Sequence, residues 1–112
     1  EGAISTGGAV TAETGKVEAT AQSDITAAGA VQAQKNITLL SKAGAITTKD
    51  TVTSVAGNIE ANAYGNVETD GAVKAQNNVT LTSTDNAVTA NGTVTAVTGK
   101  IEAKAKGNVT TN

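Results

Sequence analysis

The chain has 112 residues, a formal net charge of −2, one aromatic residue, Tyr64, and 21 Val, Ile and Leu side chains with which to build a core. Proline, cysteine, methionine, histidine and arginine are absent, which excludes disulfides, thiolate metal sites and imidazole chemistry together. So low an aliphatic content is common in disordered chains, but disorder pairs it with high net charge, whereas here the charges are few and scattered singly.

Taken from the N-terminus, one β-branched residue recurs at short intervals: Ile4, Val10 and Val17, then Ile25, Val31 and Ile37, then Ile46, Val52 and Ile59. The series continues through Val67, Val73 and Val79, then Val88, Val94 and Ile101, and ends at Val109. The gaps run 6, 7, 8, 6, 6, 9 and then repeat. Six gaps sum to 42, and residues 45–69 and 87–111 are more than half identical at that shift. Each half of the cycle sums to 21, so the structural unit is a 21-residue coil with three strands, and 42 residues make a pair of coils.

Sorted by wall, Ile4, Ile25, Ile46, Val67, Val88 and Val109 are 21 apart without exception, as are Val10, Val31, Val52, Val73 and Val94. The third set, Val17, Ile37, Ile59, Val79 and Ile101, alternates between 20 and 22. Each set predicts a vertical apolar ladder on one face of a triangular prism. Local alternation agrees: in 57–63 the inward positions are Ile59, Ala61 and Ala63, with Asn58, Glu60 and Asn62 outside, the period of a strand with one dry face. Period two and the regular glycines argue against helix for the Ala-rich stretches.

Three aliphatic side chains cannot offset the entropy of ordering a coil, so the coils must stack. Small inward residues such as Ala12, Ala33 and Ala75 suit the crowded axis. Leu39 and Leu81 stand where Ala19, Ala61 and Ala103 stand in the other coils, an alternation of large and small that accounts for a two-coil period. The expected fold is all-β: a right-handed three-sided parallel β-solenoid of 21 residues per coil, the hand following the usual chirality of parallel connections. Residues 1–112 form one such segment. Because 112 is not a multiple of 42, an excerpt of a longer repetitive chain is expected.

The phrases GAITT (44–48), GNVET (65–69), AQNNVTLTS (75–83) and TGKIEAKAKGNVTT (98–111) resemble the β-helix repeats of filamentous haemagglutinin-like exoproteins, which Gram-negative bacteria secrete through two-partner systems. The resemblance spans the whole chain. It implies an extracellular stalk, adhesin or biofilm-matrix fibre at the bacterial surface.

The residues themselves point away from chemistry. Asp24, Asp50, Asp70 and Asp85 fall on different coils and corners, and the constant gaps leave no room for loops that would form a cleft. The Gly-Gly-x-Gly-x-Asp calcium repeat is missing, so no catalytic, metal or cofactor residue is assigned. Isolated lysines make no basic patch for nucleic acid, and the short apolar runs make no membrane helix. Asn36, Asn58, Asn66, Asn78 and Asn108 each precede an inward residue, where turn chemistry is expected. The Asn-x-Thr sequons at Asn36, Asn78, Asn91 and Asn108 follow from how the repeat spells corner, core and wall.

One outward column, Ser5, Thr26, Thr47, Thr89 and Thr110, is interrupted only by Glu68. Hydroxyls spaced by the strand separation could bind ice or ordered glycans, so an ice- or glycan-binding solenoid is a rival reading, with host or matrix glycans as partners. A functional amyloid subunit is another, although three unequal gaps suit a triangle better than two arms. Self-association through coil ends or lateral faces is expected in either case, because an uncapped coil exposes unpaired strand edges.

Overall fold

A computed structural model describes residues 3–111. Sixteen short strands follow the chain as five coils and the start of a sixth. Coil 1 carries β1 (Ile4–Thr6), β2 (Val10–Ala12) and β3 (Val17–Ala21); coil 2 carries β4 (Ile25–Ala27), β5 (Val31–Ala33) and β6 (Ile37–Ser41). Coil 3 carries β7 (Ile46–Thr48), β8 (Val52–Ser54) and β9 (Ile59–Ala63); coil 4 carries β10 (Val67–Thr69), β11 (Val73–Ala75) and β12 (Val79–Ser83). Coil 5 has β13 (Val88–Ala90), β14 (Val94–Ala96) and β15 (Ile101–Ala105), and β16 (Val109–Thr111) opens the next turn.

Strands three apart in sequence pair in parallel, giving three walls: β1-β4-β7-β10-β13-β16, β2-β5-β8-β11-β14 and β3-β6-β9-β12-β15. The protein is an all-β parallel solenoid, and the ladder residues lie directly above one another: Ile25 pairs with Ile46, Val52 with Val73, and Ile59 with Val79. With no side chain from a second layer available, the three walls cover one another's inner faces. Ile25, Val31, Ile37, Ile46, Val52, Ile59, Val67, Val73, Val79 and Val88 are all buried there. Ile4, Val10, Val17 and Val94 pack against this cluster only in part, and Ile101 and Val109 are 49% and 46% exposed because no described coil covers them. On the third wall Ala19, Leu39, Ala61, Leu81 and Ala103 are consecutive rungs, so each leucine fills space left by the alanines above and below.

Inward positions two residues beyond a ladder position, and four beyond it at the end of the third-wall strands, also carry polar side chains. Ser54 and Thr53 divide as a strand requires, the serine buried and the threonine half-exposed. Ser41 and Ser83 end the third-wall strands of coils 2 and 4, pointing inward, and Thr48 and Thr69 are buried on the first wall.

The corners explain why two coils make one repeat. The corner from first to second wall is three residues in every coil. Backbone bonds lock both its flanks, as in Lys49 N–H to Ala27 O at 2.8 Å and Val31 N–H to Thr51 O at 2.9 Å. The chain is so close-stacked there that a Cβ on Gly29 would lie 2.6 Å from the Gly8 carbonyl carbon, and one on Gly71 2.5 Å from that of Asp50. The other two corners alternate in length. In coils 1, 3 and 5 the second-to-third corner has four residues and the third-to-first corner three; in coils 2 and 4 the order reverses. Every four-residue corner inside the stack therefore lies on a three-residue corner, and the reverse.

Each kind of seam has a main bond of its own, although a last-corner N–H reaches a side-chain oxygen below in both kinds, since Asn78 N–H bonds Asn58 Oδ1 at 2.9 Å where three residues lie on four. Where four residues lie on three, a hydroxyl of the upper coil donates to a carbonyl of the lower corner: Ser41 to Ser23, Ser54 to Lys35, Ser83 to Gly65 at 2.6 Å, and Thr98 to Gln76 at 2.8 Å. The three serines also accept the N–H three residues ahead, from Gly44, Gly57 and Asn86. At the same seams the last corner N–H of the upper coil reaches a side-chain oxygen below. Ala45 bonds Asp24, Asn58 bonds Asn36, Ala87 bonds Asn66 and Lys100 bonds Asn78, at 2.8–3.1 Å. Where three residues lie on four, the middle N–H bonds the third carbonyl below: Lys35 to Gly15, Gly65 to Gly44, Asn77 to Gly57 and Gly107 to Asn86. Side-chain oxygens thus receive corner N–H groups such as those of Gly44, Ala45, Gly57 and Asn58 where the corner lengths differ.

Candidate functional surfaces

Outward side chains form columns along each wall. On the first wall Ser5, Thr26, Thr47, Glu68, Thr89 and Thr110 are direct register partners from one strand to the next. Parallel strands of this kind lie about 4.8 Å apart, which sets the hydroxyl spacing. Thr26, Thr47 and Thr89 are half-buried between their neighbours, whereas Ser5, Glu68 and Thr110 are exposed. Glu68 divides the column into Ser5, Thr26 and Thr47 on one side and Thr89 and Thr110 on the other. The adjacent column reads Ala3, Asp24, Ala45, Asn66, Ala87, Asn108, and the Asp24 and Asn66 side-chain oxygens are engaged by backbone N–H groups of the coil above. One column is therefore in register along the wall, its hydroxyls in two groups separated by Glu68, with no second hydroxyl row beside it among the described residues.

The second wall shows Thr11, Gln32, Thr53, Lys74 and Thr95 to solvent. The third wall carries a column of Glu18, Thr38, Glu60, Thr80 and Glu102, in which a carboxylate returns every second coil. Two shallow grooves at the corner of the second and third walls have the same construction 42 residues apart. One is lined by Thr11, Gln32, Gln34 and Val55, the other by Thr53, Lys74, Gln76 and Val97. A third groove lies at the opposite edge of the third wall, where Tyr64, 48% exposed, sits with Leu40, Lys42, Asn62 and Thr84.

The aspartates do not converge. Asp24 accepts from Ala45 N–H, Asp50 from Thr51 N–H at 2.8 Å, and Asp70 from the Asn91 amide at 2.8 Å. Asp85 faces the Lys106 ammonium at 3.8 Å across exposed surface, and Lys104 lies 3.5 Å from Glu102 on the third wall. Exposed pairs of this kind contribute little to stability. Among the described residues no three carboxylates come together to hold a metal ion, and no helix is long and apolar enough to cross a membrane.

Sequence patterning identified the ladders and the hydroxyl column but not the serine and aspartate/asparagine bonds that join the coils. The available signal was position: Ser41, Ser54 and Ser83 each stand on the inward beat immediately before a four-residue corner. Comparison with protein-family models, with curated proteins and with solved structures finds no match to this chain.

Proposed function

We propose that this chain is a length-giving segment of an extracellular fibre or adhesin stalk, supplying stiffness and protease resistance at a bacterial surface or in a biofilm matrix. The observation that carries this reading is the unbroken register of all three walls, with the 42-residue unit returning every strand and every corner length to the same place. Such a unit can be repeated without altering any seam, so length scales with copy number. The likeness of the GNVET and AQNNVTLTS phrases to filamentous haemagglutinin-like repeats supports the same assignment and its place outside the cell. Lysine-bearing, short-stranded walls keep the outer faces soluble, while the hydrogen-bonded corners leave a protease little extended backbone to engage.

The test is a set of chains with one, two and three further copies of residues 46–87 inserted after residue 87. Each copy should lengthen the particle in small-angle scattering by about 9.6 Å, two strand spacings, with resistance to a nonspecific protease held or raised. Length that fails to grow in proportion, or new cleavage inside the added copies, overturns the proposal.

The in-register hydroxyl row of the first wall favours one second reading, a surface that holds ice or a regularly spaced glycan. Thermal hysteresis and glycan-array binding, each compared with a Thr26→Lys, Thr47→Lys double variant, decide it.

A further inference from the structure

The seams described above have a direction and a parity. We infer that the end face of an odd coil is a selective binding surface, and that its partner is a coil of the even type, with a three-residue second-to-third corner and a four-residue third-to-first corner. This inference stands on the coil seams alone and does not depend on where the rod works.

Coil 5 displays what coils 1 and 3 display to the coils above them. Its three-residue corner, 106–108, ends in Asn108, in the place from which Asp24 and Asn66 receive the N–H of Ala45 and Ala87. The Gly107 carbonyl occupies the position of Gly65 O, the acceptor for Ser83. At the other corner the Gly99 carbonyl occupies the position of Gly15 O and Gly57 O, which receive a middle N–H from a three-residue corner. Ala103 leaves the gap that Leu39 and Leu81 fill above Ala19 and Ala61. All four features match an even coil.

An odd coil matches only the Asn108 acceptor, since the last N–H of a three-residue corner also reaches an asparagine below, as Asn78 N–H does to Asn58 Oδ1 at 2.9 Å. It would set four residues on four at one corner and three on three at the other, leaving the seam carbonyls and N–H groups out of position, and it would place alanine on alanine along the third wall. Coil 1 is itself odd, and β16 already holds the first-wall position above β13, so a second copy seating β2 and β3 on β14 and β15 meets a mismatch at both variable corners. The surface recognises continuation of the array in whole 42-residue steps and rejects simple head-to-tail pairing of two such segments.

The experiment uses the full chain extended by one coil after Asn112. One extension repeats residues 71–91, which continues the array with an even coil; the other repeats residues 92–112, an odd coil of the same length. Both keep the invariant three-residue corner. Amide hydrogen exchange is read at Val94–Ala96, Ile101–Ala105 and Val109–Thr111. The even extension should raise protection there by about tenfold or more, the scale of one or two added net hydrogen bonds, and the odd extension by less than about threefold. Asn108→Ala should remove much of the gain at Val109–Thr111 in the even extension while leaving exchange in the unextended chain unchanged. Equal protection from both extensions, no protection from the even one, or insensitivity to Asn108→Ala would each overturn the inference.

Discussion

Thr48 and Thr69 are adjacent rungs on the inner face of the first wall, 1% and 3% exposed, and neither hydroxyl finds a hydrogen-bond partner. Below Thr48 lies Ala27 and above Thr69 lies Ala90, so only the other threonine offers a side-chain oxygen along the ladder, and the two hydroxyls do not bond each other. A buried hydroxyl without a partner costs about 1–3 kcal/mol. Valine has the same branched shape and strand preference, so Thr48→Val and Thr69→Val each remove that cost without opening a cavity. Each single variant should gain about 1–2 kcal/mol. The double variant should come close to the sum, because neither hydroxyl supports the other. At about 4 °C per kcal/mol for a domain of this size, the double variant should melt roughly 8–16 °C higher. Because solenoids open coil by coil, hydrogen exchange at Ile46–Thr48 and Val67–Thr69 accompanies the melt and should slow in parallel. Loss of stability in the single variants with recovery in the double would show that the two hydroxyls bond each other, and loss in all three would refute the reasoning outright.

Ser54→Ala removes both bonds of its seam, to Lys35 O and from Gly57 N–H, and should cost about 1–3 kcal/mol, with faster exchange at the Gly57 amide as its local signature. Val52→Asp places a carboxylate between Val31 and Val73 on the buried second-wall ladder and should cost more than about 4 kcal/mol. Thr53→Asp, one residue along and facing outward, should change thermal stability by about 0.5 kcal/mol or less; similar losses in the two would contradict the assignment of faces. A glycine inserted between Lys49 and Asp50 enlarges the corner bonded on both flanks in every coil, and should reduce exchange protection throughout coils 2–4. The same insertion between Ala56 and Gly57 lengthens from four residues to five a corner whose length already varies between coils, and its loss should stay within the seams above and below coil 3.

The ladder positions, the 21-residue coil, the 42-residue repeat and the division of the chain among three walls were all legible in the order of residues. Each follows from a local rule: side chains alternate along a strand, and a residue gained or lost in one turn must be returned in another if the register is to survive. Asn36 and Asn66 could be read as corner residues for the same reason. Their partners could not, because Asn58 N–H and Ala87 N–H reach them only when one coil is laid on another. The serines lay further out of view. Ser41, Ser54 and Ser83 look like ordinary small residues at the end of a strand, and their role depends on carbonyls 18 or 19 residues back whose height is set by the mismatch of corner lengths. The unpartnered hydroxyls of Thr48 and Thr69 are equally a product of stacking, since whether a buried hydroxyl is satisfied depends on what the neighbouring coils place beside it. Periodicity along the chain determined where each residue faces; only the vertical contact of coils decided what each one meets.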